Sequence, residues 1–301
     1  MANRARKQGT SRKWIGLLGA AVGGCALVAG SVVPATAHSG HGRVRYVALG
    51  DSYTSGPLIP RQVDAGCARS DQNYPSVVAE RREVDGFDDV SCSGATTAQM
   101  WQAQGANPPQ LDALTRDTDL VTVQIGGNDV GFGSIISTCA RLGAQEPDGN
   151  PCERSYRDAG YDELAVAVAR TAPKIDRVLR AVHARAPHAR VLLVGYPDLL
   201  PDDGTGCFPD VPFAGGDFRY LRNTEKRLDL MLRLVAAWNR VEYVDTYGPT
   251  VGHDMCKAPE DRWIEPLKPA APAAPAHPNA RGEAAMARAV LATLERGHGR
   301  R

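Results

Sequence analysis

The groups in this chain that could do chemistry fall at the ends of apolar runs. Gly50-Asp51-Ser52 closes "RVRYVALGDS" (Arg43 to Ser52), and Ser93-Gly94 lies in the weaker run "FDDVSCSGA" (Phe87 to Ala95). Gly126-Gly127-Asn128-Asp129 closes "DLVTVQIGGND" (Asp119 to Asp129). A serine at a strand-to-helix turn lies beside a helix N-terminus, which favours developing negative charge and so suits a nucleophile. The plainer reading of Ser52 is the N-cap of the next helix, a position that serine favours. Gly94 and Asn128 likewise have plain readings as turn residues. Near the other end, His277 sits in "KPAAPAAPAHPN" (Lys268 to Asn279), where prolines at 269, 272, 275 and 278 continue a spacing of three begun at Pro266. Polyproline II has about three residues per turn, so these prolines share one edge of a stiff rod. The rod is either a spacer or an arm that brings His277 to a site. Ser52 does not fit an α/β-hydrolase elbow, which needs glycine two residues after the nucleophile, where this chain has Thr54.

Such groups need a scaffold. Besides the runs ending at Ser52 and Asp129, "ARVLLVGYPD" (Ala189 to Asp198) and "VEYVDT" (Val241 to Thr246) read as strands, with Phe87 to Ala95 as a weaker fifth. Continuous apolar runs suit a parallel sheet covered on both faces. Between them, Ile175, Val178, Leu179 and Val182 make an apolar stripe at helical spacing, and Thr224, Leu228, Met231, Val235 and Trp238 make a second. From Asn279 a capped terminal helix runs to Gly297. Alternating strands and helices predict a single-domain α/β/α sandwich around a mostly parallel sheet of about five strands. Ligands then bind at the carboxyl ends of the strands, where the three polar clusters fall.

The first 37 residues stand apart. Arg4, Arg6, Lys7, Arg12 and Lys13 precede an apolar run from Trp14 to Val33 and the small-x-small sequence Ala35-Thr36-Ala37. This is the pattern of a secretory signal peptide, with cleavage expected after Ala37 and a mature domain over residues 38–301. A Gly- and Ala-rich run followed directly by a cleavage signal argues against a membrane anchor, and Val22-Gly23-Gly24 is a poor lipobox for Cys25. Removing those five cations from a chain of formal net charge +1 leaves about −4, which argues against a nucleic-acid partner. Six cysteines remain, at 67, 92, 139, 152, 207 and 256. In an oxidising compartment an even number suggests three disulfides, and about 15 pairings are open. The interval from Cys139 to Cys152 looks like one local loop. Zinc is the rival, but no C-x-x-C or H-x-x-x-H cluster exists.

Taken together, "YVALGDSYTSG", "CSGA", "TVQIGGND" and the C-terminal "HPN" resemble the four blocks of the SGNH (GDSL) hydrolases, and most of all the secreted, three-disulfide bacterial esterases and lipases of that family. The likeness spans essentially the whole mature chain, in order. GDS alone is a weak signal, but ordinary turns would have to imitate a block at three separate strand ends. The resemblance implies a flavodoxin-like SGNH fold and carboxylic-ester hydrolysis without metal or cofactor. Ser52 would be the nucleophile and His277 the general base. The backbone N–H groups of Ser52 and Gly94 and the side-chain amide of Asn128 would form the oxyanion hole. Losing one such donor costs about 10²–10³ in rate. The pairings implied are Cys67–Cys92, Cys139–Cys152 and Cys207–Cys256, the first bracing the loop of Gly94.

One block departs from the family pattern. Most members carry Asp three residues before the histidine, where this chain has Ala274, and no carboxylate lies between Glu265 and His277. That acid fixes the histidine tautomer and stabilises the imidazolium; a backbone carbonyl can do the first. A Ser52–His277 dyad is therefore expected, oriented by the carbonyl of Ala274 or Pro275 on a proline-stiffened backbone. Of the other histidines, His38, His41 and His298 lie near the ends, and His183 and His188 flank a helix end. His253, beside Asp254 and Cys256, is the serious rival, and Asp254 or Asp245 could supply a distant carboxylate. Trp101, Phe132 and Trp263 could line an acyl pocket. The expected activity is that of a secreted, monomeric lipase or esterase, with phospholipase A included. A carbohydrate O-deacetylase and a catalytically silent envelope- or carbohydrate-binding protein are the alternatives.

Overall fold

The computed structural model describes residues 44–298, so the expected signal peptide, its cleavage site, His38 and His41 lie outside the described residues. Five runs form one parallel sheet: β1 (Arg45–Gly50), β2 (Gly86–Asp89), β3 (Leu120–Gln124), β4 (Arg190–Val194) and β5 (Glu242–Val244). Their spatial order is β2-β1-β3-β4-β5, and every neighbouring pair is parallel. The order reverses between β1 and β3, and the crevice beyond their carboxyl ends is where an open sheet of this kind binds ligands.

Both faces of the sheet are covered at its centre, which is why β1, β3 and β4 read as continuous apolar runs, whereas the edge strands β2 and β5 carry acidic residues. Tyr46 and Ala48 pack with Tyr74 and Val78 of α2 (Tyr74–Arg82) and with Met286, Val290 and Leu294 of α8 (Ala280–His298). Val47 and Leu49 face the opposite way, into a larger core with α6 (Glu163–Arg185) and α7 (Asp217–Trp238). The α6 stripe of Ile175, Val178, Leu179 and Val182 is fully buried there. Truncating one such side chain, Ile175→Ala, would cost about 2–5 kcal/mol. The α7 stripe buries Thr224, Leu228, Met231 and Val235, but its expected last member, Trp238, is 84 % exposed at the helix end. The helical period continues to Trp238, which is the last residue of α7 and stays in solvent.

The remaining elements are short. α1 (Ser52–Ser55) follows β1, and α3 (Gly127–Val130) follows β3 and leads into α4 (Phe132–Gln145); α5 is Pro151–Ser155. A small antiparallel hairpin joins Gln62–Asp64 to Arg69–Ser70. The cysteines pair as Cys67–Cys92, Cys139–Cys152 and Cys207–Cys256. The first pair closes on the loop after β2, where Ser93 N–H also donates to the Cys67 carbonyl at 2.9 Å. Asn279 caps α8 as expected, its Oδ1 accepting from the N–H groups of Arg281 and Gly282. No helix among the described residues is long and apolar enough to cross a membrane.

Candidate active site

Ser52 opens α1 directly beyond β1, and several contacts fix it there. A Cβ on Gly50 would collide with the Thr54 side chain and come within 2.9 Å of the Gln124 carbonyl, so only glycine fits where the strand turns. The buried Gln110 side chain clamps Gly50 from both sides, accepting from its N–H and donating to its carbonyl at 2.8 Å each. The N-cap of α1 is Asp51, whose Oδ1 accepts from Tyr53 N–H at 3.0 Å. Capping is thus done by Asp51, and the Ser52 hydroxyl is left for another partner. Asp51 Oδ2 accepts from the Tyr196 hydroxyl at 2.5 Å. Burial pushes the Asp51 carboxyl up to about 7, against the lowering effect of that Tyr196 bond.

The partner of Ser52 is His277. Its Nε2 lies 2.7 Å from Ser52 Oγ, across 225 residues of sequence. Its Nδ1 lies 2.8 Å from the Pro275 carbonyl oxygen. A carbonyl can only accept, so Nδ1 carries the proton and Nε2 presents its lone pair to the serine O–H. Of the two expected carbonyls, Pro275 reaches the ring, while that of Ala274 accepts from the backbone N–H of His277 at 3.2 Å. Burial pushes the His277 imidazole down to about 4, opposed by the Pro275 bond. The Tyr53 ring lies 4.8 Å from the His277 ring at 30°, and Phe132 meets its edge at 5.8 Å.

The residues around His277 are held tightly. Ala276 adopts a left-handed conformation, φ 58°, costing a non-glycine residue about 1–2 kcal/mol. Both of its backbone groups are engaged: its carbonyl accepts from the Tyr53 hydroxyl at 2.6 Å, and its N–H donates to the Glu265 carbonyl at 3.0 Å. Glu265 N–H donates in turn to the His277 carbonyl at 2.9 Å, closing the neck of the arm. Glu265 itself is fully buried.

Gly94 and Asn128 complete the set of expected residues. Gly94 has φ 79°, while an added Cβ would meet nothing closer than 4.0 Å, so conformation rather than space asks for glycine. The Asn128 amide donates to the Ala95 carbonyl at 2.9 Å, tying α3 to the Gly94 loop. Asp129 strengthens that tie, its carboxylate accepting from Thr97 N–H and Oγ1–H at 2.7 Å each and pairing with Lys174 at 3.0 Å. Among the described residues, the backbone N–H groups of Ser52 and Gly94 donate to no protein acceptor. Unpaired donors at a turn are what a developing anion needs.

Beside Ser52 opens a pocket whose walls are almost wholly apolar. Phe132, Ile135 and Ile136 of α4 form one wall; Leu199, Leu200 and Met255 from loops and Leu221 and Leu228 of α7 form the others. Of the three aromatic residues expected there, only Phe132 lines it. Trp101 lies under the Arg177 guanidinium, and Trp263 stacks on the His253 ring at 3.4 Å. That stack, with a 2.5 Å contact from His253 Nδ1 to the Asp261 carbonyl, accounts for His253 as a loop residue. Asp254 pairs with Cys256 N–H and Lys257, and Asp245 with Gly248 N–H and Arg233. Asp51, Tyr53, Tyr196, Asp129 and Glu265 were not expected at the site. The motifs around Ser52 and Asn128 contain three of them, but nothing in the spacing says what they touch.

This arrangement is that of an α/β sandwich of the SGNH-hydrolase type. A profile of the GDSL-like lipase/acylhydrolase family matches residues 48–285. The chain is 41% identical over 287 residues to Lipase 2 of Streptomyces coelicolor, covering 91% of this chain and 94% of that protein. It is 30% identical over 320 residues to an esterase of Streptomyces scabiei, covering 91% and 92% respectively. Among solved structures, phospholipase A1 from Streptomyces albidoflavus superposes with a TM-score of 0.70 at 27% identity, over 84% of this chain and 99% of that one. The chain belongs to the GDSL-like lipase/acylhydrolase family, and is a carboxylic-ester hydrolase by class.

Proposed function

We propose that the protein is a secreted lipase or esterase that works through an acyl-enzyme on Ser52. The observation that carries this reading is the 2.7 Å contact between Ser52 Oγ and His277 Nε2 at the mouth of an apolar pocket. With Nδ1–H committed to the Pro275 carbonyl, neutral His277 takes the serine proton as Oγ attacks the ester carbonyl. The charge that develops on the carbonyl oxygen is met by the N–H groups of Ser52 and Gly94 and by the Asn128 amide. The imidazolium then protonates the departing alcohol. Water then gives a proton to His277 as its oxygen bonds to the acyl carbon; the bond to Ser52 Oγ breaks, His277 returns the proton to Oγ, and the acid leaves. The apolar walls suit an acyl chain, so lipid esters are the substrate class, rather than acetylated sugars. The Pro275 carbonyl orients the ring but stabilises imidazolium less than a carboxylate would.

Export is part of the proposal: residues 1–37 act as a signal peptide cleaved after Ala37, leaving a hydrolase domain over 38–301. Three disulfides support an oxidising destination. So does the likeness to a lipase of Streptomyces rimosus described as extracellular, with TM-score 0.68 and 26% identity. The test is hydrolysis of p-nitrophenyl esters from acetate to palmitate by the purified mature protein and by Ser52→Ala. The expected result is preference for chains longer than acetyl and loss of about 10³-fold or more in Ser52→Ala. Undiminished activity in Ser52→Ala, or a preference for acetate over the longer chains, would overturn the proposal.

A further inference from the structure

The missing acid at position 274 leaves the orientation of His277 resting on a loop. The Tyr53 hydroxyl holds the Ala276 carbonyl of that loop, and the Pro57 carbonyl accepts from Ala274 N–H at 2.9 Å. One buried side chain, Glu265, ties its remaining turns together. Glu265 Oε2 accepts from the backbone N–H groups of Ala270 and Ala271 at 2.8 and 3.1 Å. Its Oε1 accepts from the Asn279 side-chain amide at 2.8 Å. Arg262 lies 3.4 Å away, itself largely buried. One carboxylate thus ties together the start of the arm, its far turn and the residue that caps the helix after it. Its own backbone bridges to Ala276 and His277 on either side of the imidazole. A surface glutamate could be lost with little effect, whereas this one has no exposed surface and four partners.

We infer that Glu265 is the positioning residue of the site. It does for the arm's backbone what the triad acid of related enzymes does for the imidazole ring. The chain from carboxylate to chemistry is short and continuous. Glu265 fixes residues 270, 271 and 279, the neck at 265 and 276–277 closes the loop, and the closed loop holds the Pro275 carbonyl against Nδ1. Burial alone would raise the Glu265 carboxyl. The Asn279 amide, the two N–H groups and Arg262 more than offset this, so it sits below the ordinary carboxylate range and stays ionised across the working range. Glu265 does not touch His277 through its side chain, so it acts on geometry and not as a proton acceptor. A glutamine cannot replace it. Its amide offers one acceptor oxygen and would turn an NH₂ group either toward the Asn279 amide or toward the two arm N–H groups. This inference rests on the Ser52–His277 reading of the site.

The experiment compares wild type, Glu265→Gln, Ala270→Pro and His277→Ala, each quantified as folded protein by thermal melt. Ala270→Pro deletes one of the arm N–H donors while leaving Glu265 in place. The readouts are kcat and KM on a soluble short-chain ester, the rate of fluorophosphonate labelling and the pH profile of kcat/KM. Per folded molecule, Glu265→Gln should lose about 10–100-fold in kcat with KM little changed, and Ala270→Pro a smaller factor in the same direction. Loosening of the arm exposes the imidazole, so the acid limb of kcat/KM should move up toward the ordinary histidine range in both. The ring's neighbours Tyr53 and Phe132, and Asp51 beside Ser52, are unchanged in these variants, so the shift reports the arm. Variants that merely melt earlier, with wild-type kcat and pH profile per folded molecule, would overturn the inference. Full activity in His277→Ala would instead overturn the reading beneath it.

Discussion

Replacing Asn128 by alanine is expected to slow acylation without weakening substrate binding. The Asn128 amide has two N–H groups, and one donates to the Ala95 carbonyl at 2.9 Å. That bond sets which end of the amide is nitrogen and leaves the second N–H for substrate, in a pocket wall shared with Ser52. Loss of an oxyanion donor costs about 10²–10³ in kcat, or about 2.7–4 kcal/mol of transition-state stabilisation. The Ala95 carbonyl also loses a partner, worth about 1 kcal/mol of stability. The loop it belongs to remains held by Asp129 through two 2.7 Å bonds to Thr97, so the folded site should persist. Asn128→Asp sharpens the test, because it keeps the shape but can only accept, and it brings negative charge to the place where an oxyanion forms. It should be slower than alanine, the reverse of what size alone predicts. The assay is the p-nitrophenolate burst measured below and above KM, with active sites counted by titration. A loss in Asn128→Ala of less than about threefold, or an aspartate variant faster than the alanine one, would refute the reasoning.

Two further outcomes follow from the same geometry. His277 must be neutral to accept the serine proton, and burial holds its pKa at about 4, below the ordinary 6.5. As pH falls, the limb of kcat/KM that belongs to His277 should therefore lie toward 4. Because Asp51 beside Ser52 is raised to about 7, the profile is read in Asp51→Asn, where a remaining limb at or above 6.5 would contradict this. Leu228 of α7 lines the pocket and is buried, so Leu228→Trp should shorten it. The ratio of kcat/KM for long-chain over short-chain esters should fall about 10-fold or more, read from the p-nitrophenyl series, while the short-chain rate holds.

What the amino-acid sequence discloses here follows the range of the forces involved. The apolar runs of the strands and the two helical stripes are local patterns, and they appear near where the sequence places them, although the weak run Phe87 to Ala95 is a strand only over Gly86–Asp89 and Trp238 ends its stripe in solvent. Ser52, Gly94, Asn128 and His277 stand out in sequence because each belongs to a short block with fixed neighbours, and the structure places Ser52 beside His277 and Asn128 beside the Gly94 loop. The pocket was not: its walls come from α4, α7 and two loops, and Leu199, Leu221, Leu228 and Met255 look like ordinary core residues in sequence. Trp101 and Trp263, expected as aromatic pocket residues, pack against Arg177 and His253 instead. Glu265 was visible only as the last carboxylate before the proline run. Its partners at 270, 271 and 279 lie along a loop without periodicity, so no pattern could join them. Asp51 reads in sequence as part of a turn, and only the folded chain shows it capping α1 while Tyr196 holds its other oxygen.

The proposed chemistry depends on one pair of atoms, Ser52 Oγ and His277 Nε2, and the most direct test is a single covalent turnover. The purified mature protein is treated with a fluorophosphonate, and the adduct is located by intact mass and peptide mapping in wild type and His277→Ala. One adduct per chain is expected, on Ser52, formed rapidly by wild type and at least about 10³-fold more slowly by His277→Ala. An adduct on any other residue, or labelling of Ser52 that is undiminished without His277, would contradict it.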